Sequence, residues 1–193
     1  MLVLSEKDFA TSLWSGGTTT ELFIYPLGSE YVLRNFGFRL SSARVLAEES
    51  VFTPLPGFSR KLALLDGELS INHENTEAKM LSQFGVYSFD GGWKTKAKGS
   101  CTDFNLMTGE SWEGNVEVAH LNNNDSMSVE VPTKSGWLFI YLPSGKLTLS
   151  DEYNELTLLS ENLAVVRSDE MTSCRITAEN KCDPVVVRVF RTD

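Results

Sequence analysis

The chain has 193 residues, 41% hydrophobic and 22% charged, the balance of an ordinary soluble globular protein and enough to bury a core as one large domain or two small ones. A net charge of −9 and a pI near 4.8 argue against a nucleic-acid phosphate backbone or an anionic membrane surface as partner. No apolar run approaches the roughly 20 residues of a spanning helix, and three scattered cysteines, Cys101, Cys174 and Cys182, fit free thiols in a reducing cytoplasm better than a disulfide framework.

The opening residues, MLVLSEKDF, have neither a basic start nor a small-residue cleavage pattern, so no signal peptide is expected. Glu6 to Leu13 carries the one plausible helical pattern. Beyond it, period-two alternation and β-branched or aromatic clusters dominate. Strands are predicted over 20–26, 36–45, 60–66, 68–72, 86–89 and 101–108. A second series follows over 116–121, 126–131, 136–142, 146–150, 155–159, 163–168, 174–177 and 185–192. Turn signals at Asp66-Gly67, Asp90-Gly91-Gly92, Asn122 to Asp125 and Pro143-Ser144-Gly145 separate them. Many short strands at roughly ten-residue spacing indicate an all-β sandwich or barrel. LALLDGELSIN (62–72) and FIYLPSGKLTLS (139–150) share a rhythm of apolar strand, tight turn and alternating strand. The expectation is an internal duplication joined within Glu110–Asn115: two similar antiparallel β-barrels, residues 1–112 and 113–193, packed together.

Most enzyme signatures are missing. His73 and His120 stand in separate halves, have no ligand partner at a recognisable spacing, and read as surface or strand-end residues. There is no nucleophile elbow, P-loop or dinucleotide fingerprint. Gly16-Gly17 ahead of Thr18-Thr19-Thr20 precedes a strand and lacks the helix N-terminus of a phosphate cradle. What stands out is a set of polar residues inside apolar strands. In CTDFNLMT (101–108), Cys101, Asp103, Asn105 and Met107 share a face. In FGFRLSSARV (36–45), Arg39 and Ser41 lie opposite Phe38 and Leu40; in TTTELFIY (18–25), Thr19 and Glu21 share a face with Phe23. Arg60 opens RKLALLD (60–66) on the face of Leu62 and Leu64. A buried unpaired charge costs several kcal/mol, so these groups must meet each other, water or a ligand. Two readings follow: a salt-bridge network closing the barrel, or a cavity in which arginine grips a small carboxylate bidentately.

WSGGTTTEL (14–22), FRLSSARV (38–45), FTPLPGFSRKLALLDG (52–67) and CTDFNLMTG (101–109), in this order, resemble the HutD/Ves family of small bacterial proteins. The likeness covers the first 110 residues and continues in the second half mainly as length and strand rhythm. It implies a bicupin, two cupin β-barrels in one chain. Some members of the family sit with histidine-degradation genes, others are linked to stress responses, and no enzymatic activity defines it. Members often carry an Asn and an Arg ahead of the glutamate; here Trp14 is two residues nearer Glu21, and Thr20 stands in place of that Arg.

Comparison with the cupin metal motifs puts Arg60 where a carboxylate ligand would stand. Thr53 to Pro56 take the place of two histidines and Thr95 that of a third, with no histidine within reach. The resemblance therefore implies a cytoplasmic protein without metal or cofactor that binds a small anionic metabolite, regulatory in histidine utilisation or stress response. Arg39 and Arg60 would hold a carboxylate; Thr19, Glu21, Ser41, Asp103 and Asn105 would fix the rest of the ligand, formiminoglutamate or urocanate being the first candidates. The alternatives are a metal-independent isomerase or hydrolase using Glu21 or Asp103 as acid or base, and a scaffold whose polar cluster is purely structural. A homodimer, as cupins commonly form through sheet edges, completes the expectation.

Overall fold

A computed structural model of the chain describes residues 1–74, 76–133 and 135–192. The strands run in order as β1 (Leu2–Leu4), β2 (Ala10–Trp14), β3 (Gly17–Tyr25), β4 (Phe38–Val45), β5 (Glu49–Phe52), β6 (Phe58–Gly67), β7 (Leu69–His73), β8 (Lys79–Leu81), β9 (Val86–Asp90), β10 (Thr95–Lys98) and β11 (Cys101–Gly109). They continue as β12 (Trp112–Val118), β13 (Ser126–Glu130), β14 (Trp137–Leu142), β15 (Lys146–Ser150), β16 (Glu155–Leu159), β17 (Asn162–Arg167), β18 (Ser173–Ala178) and β19 (Val185–Arg191). Two single 3-10 turns, Glu6–Asp8 and Tyr31–Leu33, are the helical elements among the described residues. No helix among them is long and apolar enough to cross a membrane.

The helix expected over Glu6 to Leu13 does not form. The Asp8 carboxylate accepts hydrogen bonds from the Ser5 amide (3.0 Å) and hydroxyl (3.1 Å), closing a turn. Ala10–Trp14 then pairs with β3 as an edge strand. A short exposed segment gains little from helix nucleation, and a long neighbouring strand supplies its backbone partners instead.

The chain divides into two compact units: Phe9–Trp112, and Glu113–Asp193 together with Met1–Asp8. The placement of Met1–Asp8 corrects the expected 1–112 barrel. β1 pairs with β17, Val3 packs on the core beneath that sheet, and the Met1 ammonium meets Glu170 at 3.1 Å.

Each unit is a pair of antiparallel sheets around an apolar filling. In Phe9–Trp112 the sheets run β2-β3-β4-β11-β6-β9 and β5-β10-β7-β8. Val45, Leu62, Leu64, Leu69, Ile71 and Phe89 fill the space between them. In the other unit the orders are β1-β17-β14-β19-β12 and β13-β18-β15-β16, with Leu138, Ile140, Leu147, Leu149, Val166 and Ile176 inside. Alternate residues of each strand point inward, as period two requires.

The matched stretches 62–72 and 139–150 do not fold back as hairpins. β6 pairs with β11 and β9, whereas β7 pairs with β10 and β8. Asp66-Gly67 therefore carries the chain from one sheet to the other. Pro143–Gly145 does the same between β14 and β15. Glycine is needed at such a corner. Gly67 has φ +85° and a Cβ there would lie 2.3 Å from the Ser100 carbonyl oxygen. At the return crossing Gly99 has φ +119°, and its Cβ would lie 2.1 Å from the Glu68 carbonyl oxygen.

Candidate functional site

β4, β11 and β6 are adjacent in the middle of the six-stranded sheet, and their register builds the site. Arg39, Met107 and Arg60 form one row across the three strands; Ser41, Asn105 and Leu62 form the next; Ala43, Asp103 and Leu64 form the third. β3 adds Thr19 opposite Ala43 and Glu21 opposite Ser41. A bulge then intervenes, and Phe23 pairs with Leu40 instead of continuing the face of Thr19 and Glu21. The shared face expected for Phe23 is thus corrected: its ring stacks on Phe38 at 6.0 Å, and Ile24 stands opposite Arg39.

A cavity of about 310 Å³ lies over these rows, lined by Thr19, Arg39, Ser41, Arg60, Asp103 and Asn105 among others. Glu21 does not line it. Its carboxylate accepts a hydrogen bond from Arg39 Nε at 2.6 Å, a partly buried ion pair. Arg39 Nη1 donates to Ser41 Oγ at 3.1 Å, and the guanidinium lies 4.5 Å from the Tyr31 ring centroid. The loop that carries Tyr31 is pinned by Asn35, which accepts from the Glu30 amide at Oδ1 (2.8 Å) and from Ser29 Oγ at its carbonyl (3.1 Å).

Arg60 is held differently. It is 6% exposed, with its guanidinium 4.7 Å from the Phe52 ring and 5.4 Å from the Phe89 ring. Nη2 donates to Asn105 Oδ1 at 3.2 Å, and Nε is buried without a partner. Because Oδ1 of Asn105 faces Arg60, its amide nitrogen must face Asp103, and it donates to Oδ1 of that carboxylate. Asn105 therefore links Asp103 to Arg60 by hydrogen bonds. Burial pushes the Asp103 carboxyl up to about 7, against the opposing pull of Arg60 and of the Asn105 hydrogen bond. Burial also lowers the pKa of Arg60, with the charge on Asp103 acting the other way. The Cys101 thiol, one row further along β11, is pushed up to about 12 by burial and by Asp103, and is no nucleophile.

Residues that alternation does not mark complete the lining: Ser12, Trp14, Tyr31, Ser50, Phe52 and Thr53. Trp14 Nε1 donates to Thr19 Oγ1 at 3.2 Å. Tyr31 opens the single 3-10 turn Tyr31–Leu33 and Phe52 ends a four-residue strand, so neither had a periodic signal to give.

His73 is a strand-end residue, the last of β7, as read from the sequence, but it is not at the surface. It is 4% exposed, with Nδ1 2.9 Å from Thr95 Oγ1 and Nε2 3.0 Å from the Tyr87 hydroxyl. Burial lowers its pKa and favours the neutral ring. The pairing of β7 with β10 sets His73 directly across from Thr95, so a histidine does reach the position compared with a third cupin ligand. Both of its ring nitrogens are already engaged, however. His120 is exposed and meets Asp183 at 2.6 Å. The donor set does not fit the metal of the cupin motifs: two guanidiniums occupy one row, and a single carboxylate lines the cavity. Among the described residues no three His, Cys, Asp or Glu side chains gather as a metal site. All three cysteines are free and buried.

Two double-sheet units, one with an arginine-lined cavity on the inner face of its larger sheet, define a bicupin of the cupin-like β-barrel class. The chain belongs to the HutD family, whose sequence profile matches residues 6–183. Its fold is similar to that of PA5104, a conserved protein of unknown function from Pseudomonas aeruginosa PAO1, with TM-score 0.82, 17% identity and coverage of 100% of this chain and 99% of that one. It is also similar to HutD from Pseudomonas fluorescens SBW25, with TM-score 0.77, 18% identity and the same coverage, 100% and 99%. A bacterial pirin from Escherichia coli, YhhW in complex with nickel(II), matches with TM-score 0.73 and 6% identity over 100% of this chain and 99% of the pirin. At these identities the likeness shows the fold. No curated protein matches the sequence.

Proposed function

We propose that this HutD-family protein binds a small carboxylate-bearing metabolite in the cavity over β4, β11 and β6. The observation that carries the reading is Arg60, a buried guanidinium with one neutral hydrogen-bond partner and an unpartnered Nε, lining a cavity of about 310 Å³. Buried donors are ordinarily satisfied, and the planar fork of a guanidinium matches a carboxylate bidentately. Arg39 spends Nε on Glu21 and Nη1 on Ser41, which leaves Nη2 as a second donor. Tyr31 and Phe52 give the ligand flat walls, and the volume falls near the lower end of the roughly 300–1,000 Å³ usual for small-molecule sites. Family membership makes formiminoglutamate and urocanate the first candidates, and a regulatory role in histidine utilisation or stress response the natural use of such binding. Calorimetric titration of these acids tests the reading. Arg60→Ala is expected to weaken a confirmed binder at least about 30-fold, the lower end of the cost of truncating a buried charged contact. Unchanged affinity in the variant, or no binding by any small acid, sinks it.

Asp103 supports a second reading. A buried carboxyl with its pKa pushed up to about 7 and facing a cavity is equipped for acid–base chemistry near neutrality. Glu21, the other acid considered for that role, is engaged by Arg39 outside the cavity lining. Turnover of a bound acid, lost in Asp103→Asn while binding persists, would favour catalysis over binding alone.

A further inference from the structure

The charges around Asp103 can be counted element by element. β4 brings Arg39 and β3 brings Glu21, joined in a 2.6 Å ion pair that adds no net charge. β11 itself adds Cys101, whose thiol is held protonated. The loop after β3 adds the Tyr31 phenol, which acts on Arg60 electrostatically in the same sense as Asp103, and β5, from the opposite sheet, adds the uncharged side chains of Ser50, Val51 and Phe52. β6 supplies the one cation left over, Arg60. Asn105 links it to Asp103, its Oδ1 on Arg60 Nη2 at 3.2 Å and its Nδ2 on Asp103 Oδ1. With Asp103 ionised, the site is already neutral. A second anion on Arg60 would leave two negative charges sharing one cation among residues that are 2–6% exposed, an arrangement penalised wherever solvent is excluded.

We propose that a carboxylate and a proton enter this site together, the carboxylate on Arg60 and the proton on Asp103, so that the cavity holds one negative charge at a time. This rests on the carboxylate reading above and sharpens its ligand to a net monoanion. The proton comes from solvent. The Asp103 carboxylate becomes a carboxylic acid that still accepts from Asn105 at Oδ1 and gains an O–H on Oδ2 to offer the ligand. Burial has already brought this carboxyl to about 7, so uptake is nearly complete at pH 8 and has fallen to about a tenth of a proton by pH 6.

The test is titration calorimetry on the full chain with acetate, benzoate and urocanate as probes. Each is run at pH 8 in phosphate and in Tris, whose ionisation heats differ, so that the difference in observed heat counts protons. The expected result is close to one proton taken up per anion at pH 8, and an apparent benzoate Kd about tenfold lower at pH 6 than at pH 8. Asp103→Asn has no proton to take up, so whatever benzoate affinity it retains should carry no buffer-dependent heat and no dependence on pH between 6 and 8. If none of the probes binds, the carboxylate reading falls and takes this inference with it. If a probe binds without buffer-dependent heat, the coupling alone is overturned. Should Asp103→Asn not fold, the two-buffer measurement on the wild type decides the matter.

Discussion

Replacing Arg60 with methionine separates a ligand-gripping arginine from a structural one. In favour of the native residue stand one charge-assisted hydrogen bond to Asn105, about 1.5–3 kcal/mol, and two cation–π contacts of about 0.5–2 kcal/mol each. Against it stand the unpartnered Nε, about 1–3 kcal/mol, and the desolvation of a guanidinium, several kcal/mol. Methionine keeps an apolar stem between Phe52 and Phe89 and restores sulfur–aromatic contact. Asp103, already near 7, answers the loss of its cation by taking a proton, so no bare charge is left behind. The terms nearly cancel. Arg60→Met should change the unfolding free energy by no more than about 2 kcal/mol, a few degrees in Tm either way, while acid binding disappears. Scanning calorimetry and a binding titration on the same sample at pH 6 measure both quantities. A structural ion-pair network predicts the reverse, a loss of about 3–5 kcal/mol on removing one partner. A loss of that size with binding intact would refute the assignment of Arg60 to a ligand.

Asp103 has a folded pKa raised to about 7, so its stabilisation is full below the unfolded value near 4 and is lost as pH rises through 7. Urea denaturation should show wild type losing roughly 2–3 kcal/mol relative to Asp103→Asn between pH 5 and pH 8; parallel pH profiles would contradict this. Gly99→Ala forces a side chain against the Glu68 carbonyl at φ +119°, and should lower stability by about 1–3 kcal/mol, read as a fall in Tm. Wild-type melting would mean that the corner yields. Glu21→Gln strips Arg39 of its counter-charge, and malonate should gain on acetate by roughly tenfold, about 1.4 kcal/mol, in competitive titration. An unchanged ratio would count against the charge balance of the site.

Alternation alone was enough to show that the chain is all β, and to show which side chains stand together on one strand. Arg39 with Ser41, and Asp103 with Asn105, needed only the period of two, because neighbours two apart point the same way whatever the strand pairs with. The lining of the cavity by those four residues, with Thr19 and Arg60, follows from that local rule once the strands are laid side by side. What each charge touches is another matter, since it depends on register between strands far apart in sequence. β3 meeting β4 gives Glu21 to Arg39, and the bulge after Glu21 sends Phe23 to the other face. β11 meeting β6 puts Asn105 between Asp103 and Arg60 and leaves Nε of that arginine without a partner. The pairing of β7 with β10 buries His73 on Thr95. β5, β8 and β10, of three or four residues and charged, owe their form to the strands beside them. Pairing with β17 likewise draws β1 into the other unit. The face of a residue is a property of its own strand, whereas its partner is a property of the fold; here that partner decides whether an arginine is spent on the protein or left for a ligand.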